Sequence, residues 1–432
     1  MNCRINNQPM IELFSLGELY ISDFIKTQGD YQGVKKWDLT LMLSPETQCL
    51  QLKENADKHF MYGKYWYHSG TTNSMTAELK DIAESCMKLS KINKEYYAHN
   101  VFLDIASNDG TLLSFVDKEN FLRIGIDPAE GIFQEKAKQI CHAAIQDFFS
   151  KECYDNIRIF DPTYSGDLNQ NAPLHKAKIV TCIAMFYDLE DPKKFLDDVY
   201  DIMDDDGLFV IQQSYMPLMI KQLAFDNICH EHVFYHSLYS MEYILKQSGF
   251  KVVDVMLNDV NGGSFRLYIQ KEKAKLESFG SSPYRDVARM RLEVLREYEN
   301  TLNLGDKESY MDFWKKIQEL KTQTCEFIQN AHDKGKSIWV YGASTKGNTL
   351  LQWFGLDNNL IDGAAERSPY KWGLKTIGTN IPIHSEETMR NIHPDYLLVL
   401  PWHFINEFIE REKAYLEKGG HFIIPCPKFE II

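Results

Sequence analysis

The chain has 432 residues, 44% of them hydrophobic and 25% charged, with a formal net charge of −14. That length exceeds one compact core and favours two or three domains, while the acidic balance disfavours wrapping a nucleic acid yet leaves room for a local basic pocket holding a diphosphate. No apolar run approaches the roughly 20 residues of a membrane span, the opening MNCRINNQPM has no basic segment followed by an apolar one, and the cysteines lack paired spacing, so a protein of the reducing cytoplasm is expected.

To about Leu52, short apolar segments with polar breaks end in WDLTLMLSPETQCLQL, whose alternation reads as strands of a small β-rich module, residues 1–70. NSMTAELKDIAESCMKLSKI then sets Met75, Leu79, Ile82, Met87 and Leu89 near a helical period, leading into a new domain. From Asn100 the runs NVFLDIASNDGTLLSFV, FLRIGIDP, AKIVTCIAMF and GLFVIQQSYM alternate strand with helix, which implies a mostly parallel, doubly wound sheet. FKVVDVMLNDV and GGSFRLYIQ suit an antiparallel edge of that sheet, closing a domain over 71–280. Residues 281–334 are helical and charged, without strand signal, and read as a connector. SIWVYGASTKGNTLLQWF restarts the strand, glycine turn and helix, and LIDGAAE, DYLLVLPW and GGHFIIP continue it as a second α/β domain over 335–432. The expected fold class is therefore α/β: two doubly wound Rossmann-like domains plus the small N-terminal β-rich module.

In LDIASNDGTLL the chain leaves a buried strand at Asp104 and enters a helix near Thr111, where unpaired N–H groups suit a carboxylate or phosphate. GxGxxG is absent and no Tyr-x-x-x-Lys pair follows the relevant strand, so a nicotinamide-dependent sugar epimerase or dehydratase is disfavoured. Asp127, in GIDP at the next strand end, stands about twenty residues beyond Asp104, the distance at which an acid can accept from a ribose diol. The plainer alternative is a turn capped by ordinary Asn and Asp residues. Together with IQDFF, Ile145 to Phe149, these features resemble the class I S-adenosylmethionine methyltransferases. The resemblance implies S-adenosyl-L-methionine as cofactor, with Asp104, Asn108 and Gly110 at its methionine end, Asp127 at the ribose, and Asp147 or Phe148 at the base.

FDNICHEHVFYHSL, Phe225 to Leu238, is open to metal, proton-transfer and core readings. His230, Glu231 and His232 do not make HExxH, and no second Cys or His cluster lies at zinc spacing, so no metal is expected; His230 and His236 are expected to be structural. The string, preceded by IQQSYM, followed by NGGSFR and joined by GASTKGNTLL, ERSPYKWG, GTNIPI and LPWHF, resembles the C-methyltransferases of nucleotide-linked deoxy-keto sugars, from roughly Tyr62 to the end. That chemistry needs a carbanion equivalent beside a ketone, and a histidine titrating near neutrality suits the proton removal. The resemblance implies His232 as the base and Glu231 as its partner. Cys229 stands where the family often has tyrosine, which leaves O-methylation, or sugar-nucleotide binding without catalysis, as alternatives. The family's zinc module has two cysteine pairs; here Cys3 has no second cysteine beside it, Ser44 and Thr47 replace the other pair and Cys49 is out of register, so a metal-free remnant is expected.

For the substrate, KYWYHSGTTNSM corresponds to the stretch that lines the family's sugar site, with Tyr67 the chosen residue; domain packing is the alternative. Gly262 and Gly263 bring backbone close to a neighbour, with Arg266 available to a phosphate; a tight hairpin explains the glycines as well. In YGASTKGNT, Gly342, Ser344, Lys346 and Gly347 follow a strand and open a helix, so donors and a cation converge on an anion; a purely structural turn is the alternative. Glu366, Lys371 and His403 are candidates to complete a nucleotide or sugar site. The expected partner is a nucleotide-linked sugar of deoxysugar or polysaccharide biosynthesis, with no nucleic acid and no membrane; a homo-oligomer stays open.

Overall fold

A computed structural model describes residues 1–27, 34–56, 61, 73–94, 97–160 and 171–432. The N-terminal strands are β1 (Ile11–Leu19), β2 (Phe24–Ile25), β3 (Trp37–Ser44) and β4 (Cys49–Leu52), with β1, β3 and β4 antiparallel. Leu39, Leu41, Leu43, Leu50 and Leu52 are buried, and they share one core with Ile317, Trp353 and Leu398 of the far end of the chain. The β-rich module is thus packed onto the last domain. Cys3 Sγ accepts from Gln51 Nε2 at 2.9 Å and lies 3.9 Å from Thr47 Oγ1.

The helix Asn73–Leu89 buries Met75, Leu79, Ile82 and Leu89, as its period implies, and leaves Met87 half-buried. Beyond it run β5 (Val101–Ile105), β6 (Leu122–Ile126), β7 (Ala143–Ile145), the β8 (Arg158–Phe160) and β9 (Asn171–Pro173) ladder, β10 (Ala177–Ile183), β11 (Met203–Ser214), β12 (Phe234–Tyr235), β13 (Phe250–Asn258) and β14 (Ser264–Lys271). One seven-stranded sheet has the order β13-β14-β11-β10-β5-β6-β7. Five strands are parallel, and β14 runs antiparallel to β11 and β13, the closing edge expected from the two late runs. Continuous burial of β5 and most of β10 explains their unbroken apolar runs, since helices cover both faces of a parallel sheet. The strand order reverses between β5 and β10, and a crevice opens at their C-terminal ends. β12 leaves this sheet and pairs with β4, so the His-Glu-His segment bridges to the N-terminal module.

The last domain contains β15 (Ile338–Tyr341), β16 (Gly363–Glu366), β17 (Lys375–Thr376), β18 (Ile383–Ser385), β19 (Tyr396–Val399), β20 (His421–Ile424) and β21 (Glu430–Ile431). Its sheet order is β18-β16-β15-β19-β20-β21, parallel except for β21, and β17 pairs with β2. The segment read as a connector is divided between the two domains. Helix Ser282–Asn300 lies on β13, where Arg291 pairs with the buried Asp254 at 2.6 Å, and Glu299 accepts from the backbone N–H groups of Leu238 and Tyr239 that begin the next helix over. Helix Met311–Asp333 instead buries Phe313, Ile317 and Ile328 in the core beneath β15. Its charged outer face is what made the segment look unattached.

Candidate active site

β5 ends at Asp104, which is 4% exposed and accepts a hydrogen bond from Thr181 Oγ1 of β10 at 2.6 Å. Burial pushes its carboxyl up to about 7, helped by the charge of Asp127 and opposed by the threonine bond. The chain then turns through Ala106, Asn108 and Gly110, all at positive φ. Gly110, at φ 78°, lies where a Cβ would approach Ala137 Cα and Ile140 Cδ1 at 3.3 Å, so a side chain here would strain the turn against the helix Ile132–Ile140. Asp127, at the end of β6, accepts from the backbone N–H of Asn108 at 2.8 Å and of Ala129 at 2.7 Å, which ties the two turns together. Burial raises its pKa also. Asp147 and half-buried Phe148 follow β7 at the same end of the sheet.

The His-Glu-His segment approaches from the other side. After the turn Phe225–Asn227, the carbonyl of Asn227 accepts from His232 Nδ1 at 2.8 Å and from Tyr235 Oη at 3.3 Å, with Cys229 Sγ at 3.7 Å. A carbonyl oxygen only accepts, so Nδ1 carries the hydrogen and Nε2 holds the lone pair. The imidazole packs 4.2 Å from the Tyr187 ring, centroid to centroid. Burial, reinforced by the Lys346 charge and opposed by the Asn227 bond, holds His232 well below the usual imidazole range, so the ring is neutral near pH 7. Burial pushes the Cys229 thiol well up, with the Glu231 charge adding to it. Oε2 of Glu231 is buried with no hydrogen-bond partner among the described residues. His230 Nε2 reaches the Trp37 carbonyl at 3.2 Å, and His236 stacks on Phe234 with Nδ1 3.1 Å from Ser240 Oγ. Neither ring lines the cavity between the two sides, and His230 Nδ1 and His236 Nε2 are buried without a hydrogen-bond partner among the described residues.

One cavity of about 650 Å³ joins the two sides and is lined by Asp104, Asn108, Asp127, Asp147 and Phe148 together with Cys229, Glu231, His232, Thr345 and Lys346. Gly110, expected at the cofactor, is not among the lining residues and is instead the N-cap residue of the helix Thr111–Ser114. Lys346 comes from the last domain and donates to Asn227 Oδ1 at 2.7 Å, while Trp402 Nε1 donates to Asp226 Oδ1 at 3.1 Å.

Ser344, Glu366, Lys371, His403 and Arg266 do not line this cavity. Ser344 Oγ accepts from Gly347 N at 3.0 Å as a helix cap. Glu366 accepts from the N–H groups of Ala343 and Ser368, and Lys371 donates to the Ala343 carbonyl at 2.8 Å beside Glu366, so this pair knits the glycine turn. His403 holds Nδ1 buried and unpartnered among the described residues, with burial and the Lys346 charge pushing the ring down to about 3. Arg266 is not available to a phosphate: it is 3% exposed and its guanidinium is taken by Glu78 at 2.7 Å, Asp81 at 2.8 Å and Gln212 at 2.8 Å. Its position on β14, beneath helix Asn73–Leu89, turns it inward. Tyr67 lies outside the described residues. Tyr187 also lines the cavity, while Asn227 and Thr181 hold His232 and Asp104; sequence patterns passed over all three, and the signal within reach was Asn227, inside FDNICHEH.

The donor set fits an adenosyl cofactor bearing a sulfonium. Each Asp127 oxygen takes one N–H and keeps a lone pair for a diol, Asp104 supplies a carboxylate toward a cation, and Phe148 supplies an apolar face. Residues 77–255 match the family described as methyltransferase domain, and residues 259–427 match the family described as C-methyltransferase C-terminal domain. The chain is 26% identical to C-methyltransferase NovU of Streptomyces niveus, over all of this chain and 96% of that protein. Among solved structures, mitomycin 7-O-methyltransferase MmcR aligns at 11% identity and TM-score 0.33 over 46% of this chain and 54% of its own. A methyltransferase from Clostridium acetobutylicum aligns at 13% identity and TM-score 0.32, over 45% and 92% respectively. The sheet order, the cavity at its switch point and the two family matches make this chain an S-adenosylmethionine-dependent methyltransferase whose last part resembles the C-terminal domain of C-methyltransferases.

Proposed function

We propose that the protein methylates a carbon beside the keto group of a nucleotide-linked sugar, with His232 as general base. The observation that carries this reading is the His232 tautomer: Nδ1 is spent on the Asn227 carbonyl, so the lone pair of Nε2 is left in a ring that lines the cavity holding Asp104 and Asp127. A neutral imidazole is the competent form for removing a proton, and burial keeps it neutral. Bound S-adenosylmethionine supplies an electrophilic methyl group. Asp127 would accept from its ribose, Asp104 would face its charged end, and Asp147 and Phe148 would border its base.

On the protein side, His232 takes the proton alpha to the carbonyl, Glu231 directs its unpartnered Oε2 to a sugar hydroxyl, and Tyr187 packs the imidazole in place. Cys229, held high by burial, stays a thiol and acts as a small wall of the acceptor site. The full-length likeness to a C-methyltransferase supports carbon as the acceptor. The test is a panel of nucleotide-linked keto sugars incubated with isotopically labelled methyl donor, the product read by NMR. A labelled methyl bonded to the carbon next to the ketone is expected; a methyl on oxygen, or transfer to reduced sugars equally well, would refute the reading.

A further inference from the structure

Lys346 is brought to the cavity by the last domain together with Thr345, while Ser344 caps a helix and Glu366 and Lys371 hold the turn. An ammonium has three N–H donors and Asn227 Oδ1 takes one; no other hydrogen bond engages Lys346 among the described residues. The same asparagine, through its backbone carbonyl, holds the His232 ring at 2.8 Å. Asn227 is itself pinned, its Nδ2 donating to the Ala224 carbonyl at 3.1 Å and facing the Asn261 carbonyl at 3.4 Å. Base and cation are therefore set against each other by one rigid residue, and both line one cavity.

We propose that Lys346 is a catalytic donor to the enolate oxygen of the acceptor, so that the active site is assembled from both α/β domains. The inference rests on carbon methylation beside a ketone. When His232 Nε2 takes the alpha proton, the C–H electron pair becomes the new carbon–carbon double bond and the carbonyl π pair moves onto oxygen. The proton resides on the imidazole and a negative charge on oxygen. A preorganised ammonium in a largely buried site stabilises that charge strongly because no solvent must reorganise around it. Asn227 is the positioning residue for both partners.

The experiment measures solvent-deuterium exchange of the alpha proton of a nucleotide-linked keto sugar with S-adenosylhomocysteine bound, in the unmodified enzyme, Lys346→Met and Lys346→Arg. Calorimetric binding of S-adenosylmethionine within about threefold of the unmodified protein serves as the check of folding. Expected is a loss of about 100-fold or more in exchange rate for Lys346→Met, the magnitude typical of one oxyanion donor, with sugar-nucleotide KM little changed and partial recovery in Lys346→Arg. Exchange within threefold of the unmodified enzyme, or a raised KM at unchanged kcat as a phosphate clamp would give, overturns the proposal while leaving carbon methylation intact. Absence of exchange in the unmodified enzyme removes the carbon reading and the proposal with it.

Discussion

Replacing Asp104 by asparagine separates what the residue costs the fold from what it does for the cofactor. Burial raises its carboxyl from 3.8 to about 7, a shift of roughly three units. At about 1.4 kcal/mol per unit, an ionised Asp104 costs the folded state up to ~4 kcal/mol. The folded pKa is the higher one, so the cost is fully present above about 7, shrinks as the pH falls and vanishes below the unfolded value near 3.8. Asparagine keeps an oxygen for the Thr181 hydroxyl and carries no charge. Asp104→Asn should therefore unfold several degrees above the parent protein in differential scanning calorimetry at pH 8.5, and the difference should fade toward pH 4. The same variant should bind S-adenosylmethionine at least tenfold more weakly. A variant equal to or less stable than the parent at pH 8.5, or a difference independent of pH, would refute the burial argument.

The same ionisation makes cofactor affinity pH-dependent: S-adenosylmethionine should bind progressively more weakly as the pH drops below about 7, up to tenfold per unit, with proton release on binding seen by calorimetry in buffers of different ionisation heat. A flat affinity between pH 5.5 and 8 would contradict a role for Asp104 beside the cation. Gly110→Ala must hold φ 78° with its Cβ 3.3 Å from Ala137 Cα, and should cost about 1–3 kcal/mol of stability and most cofactor affinity, read by thermal shift and calorimetry. Arg266→Met strands Glu78 and Gln212 and should destabilise by about 2–4 kcal/mol. Its sugar-nucleotide KM should stay within twofold; a tenfold rise would restore Arg266 as a phosphate ligand.

Where chemistry and local pattern coincide, the sequence was readable. The unbroken apolar runs of β5 and β10 and the turn between Asp104 and Thr111 placed the central sheet and its crevice, because burial on both faces and a short βα turn leave a local imprint. The restart at SIWVYGAST announced the last sheet for the same reason. Contacts between distant segments leave no such imprint. Lys346 and Asn227 are 119 residues apart, and nothing in YGASTKGNT tells which of its polar groups turns into the methyl-transfer cavity. Arg266 looked free beside a glycine hairpin because its acidic partners sit on a helix almost two hundred residues earlier. The 281–334 segment hid its attachment since each helix buries a narrow stripe under a charged face.

Solvent exchange at the carbon alpha to the ketone, followed by NMR with S-adenosylhomocysteine bound, compares the unmodified enzyme with His232→Gln at equal cofactor occupancy. Washout in the unmodified enzyme and its loss by at least about 100-fold in His232→Gln is the expected result. Undiminished washout in His232→Gln, with the cofactor still bound, would show that the proton leaves by another route and that His232 is not the base.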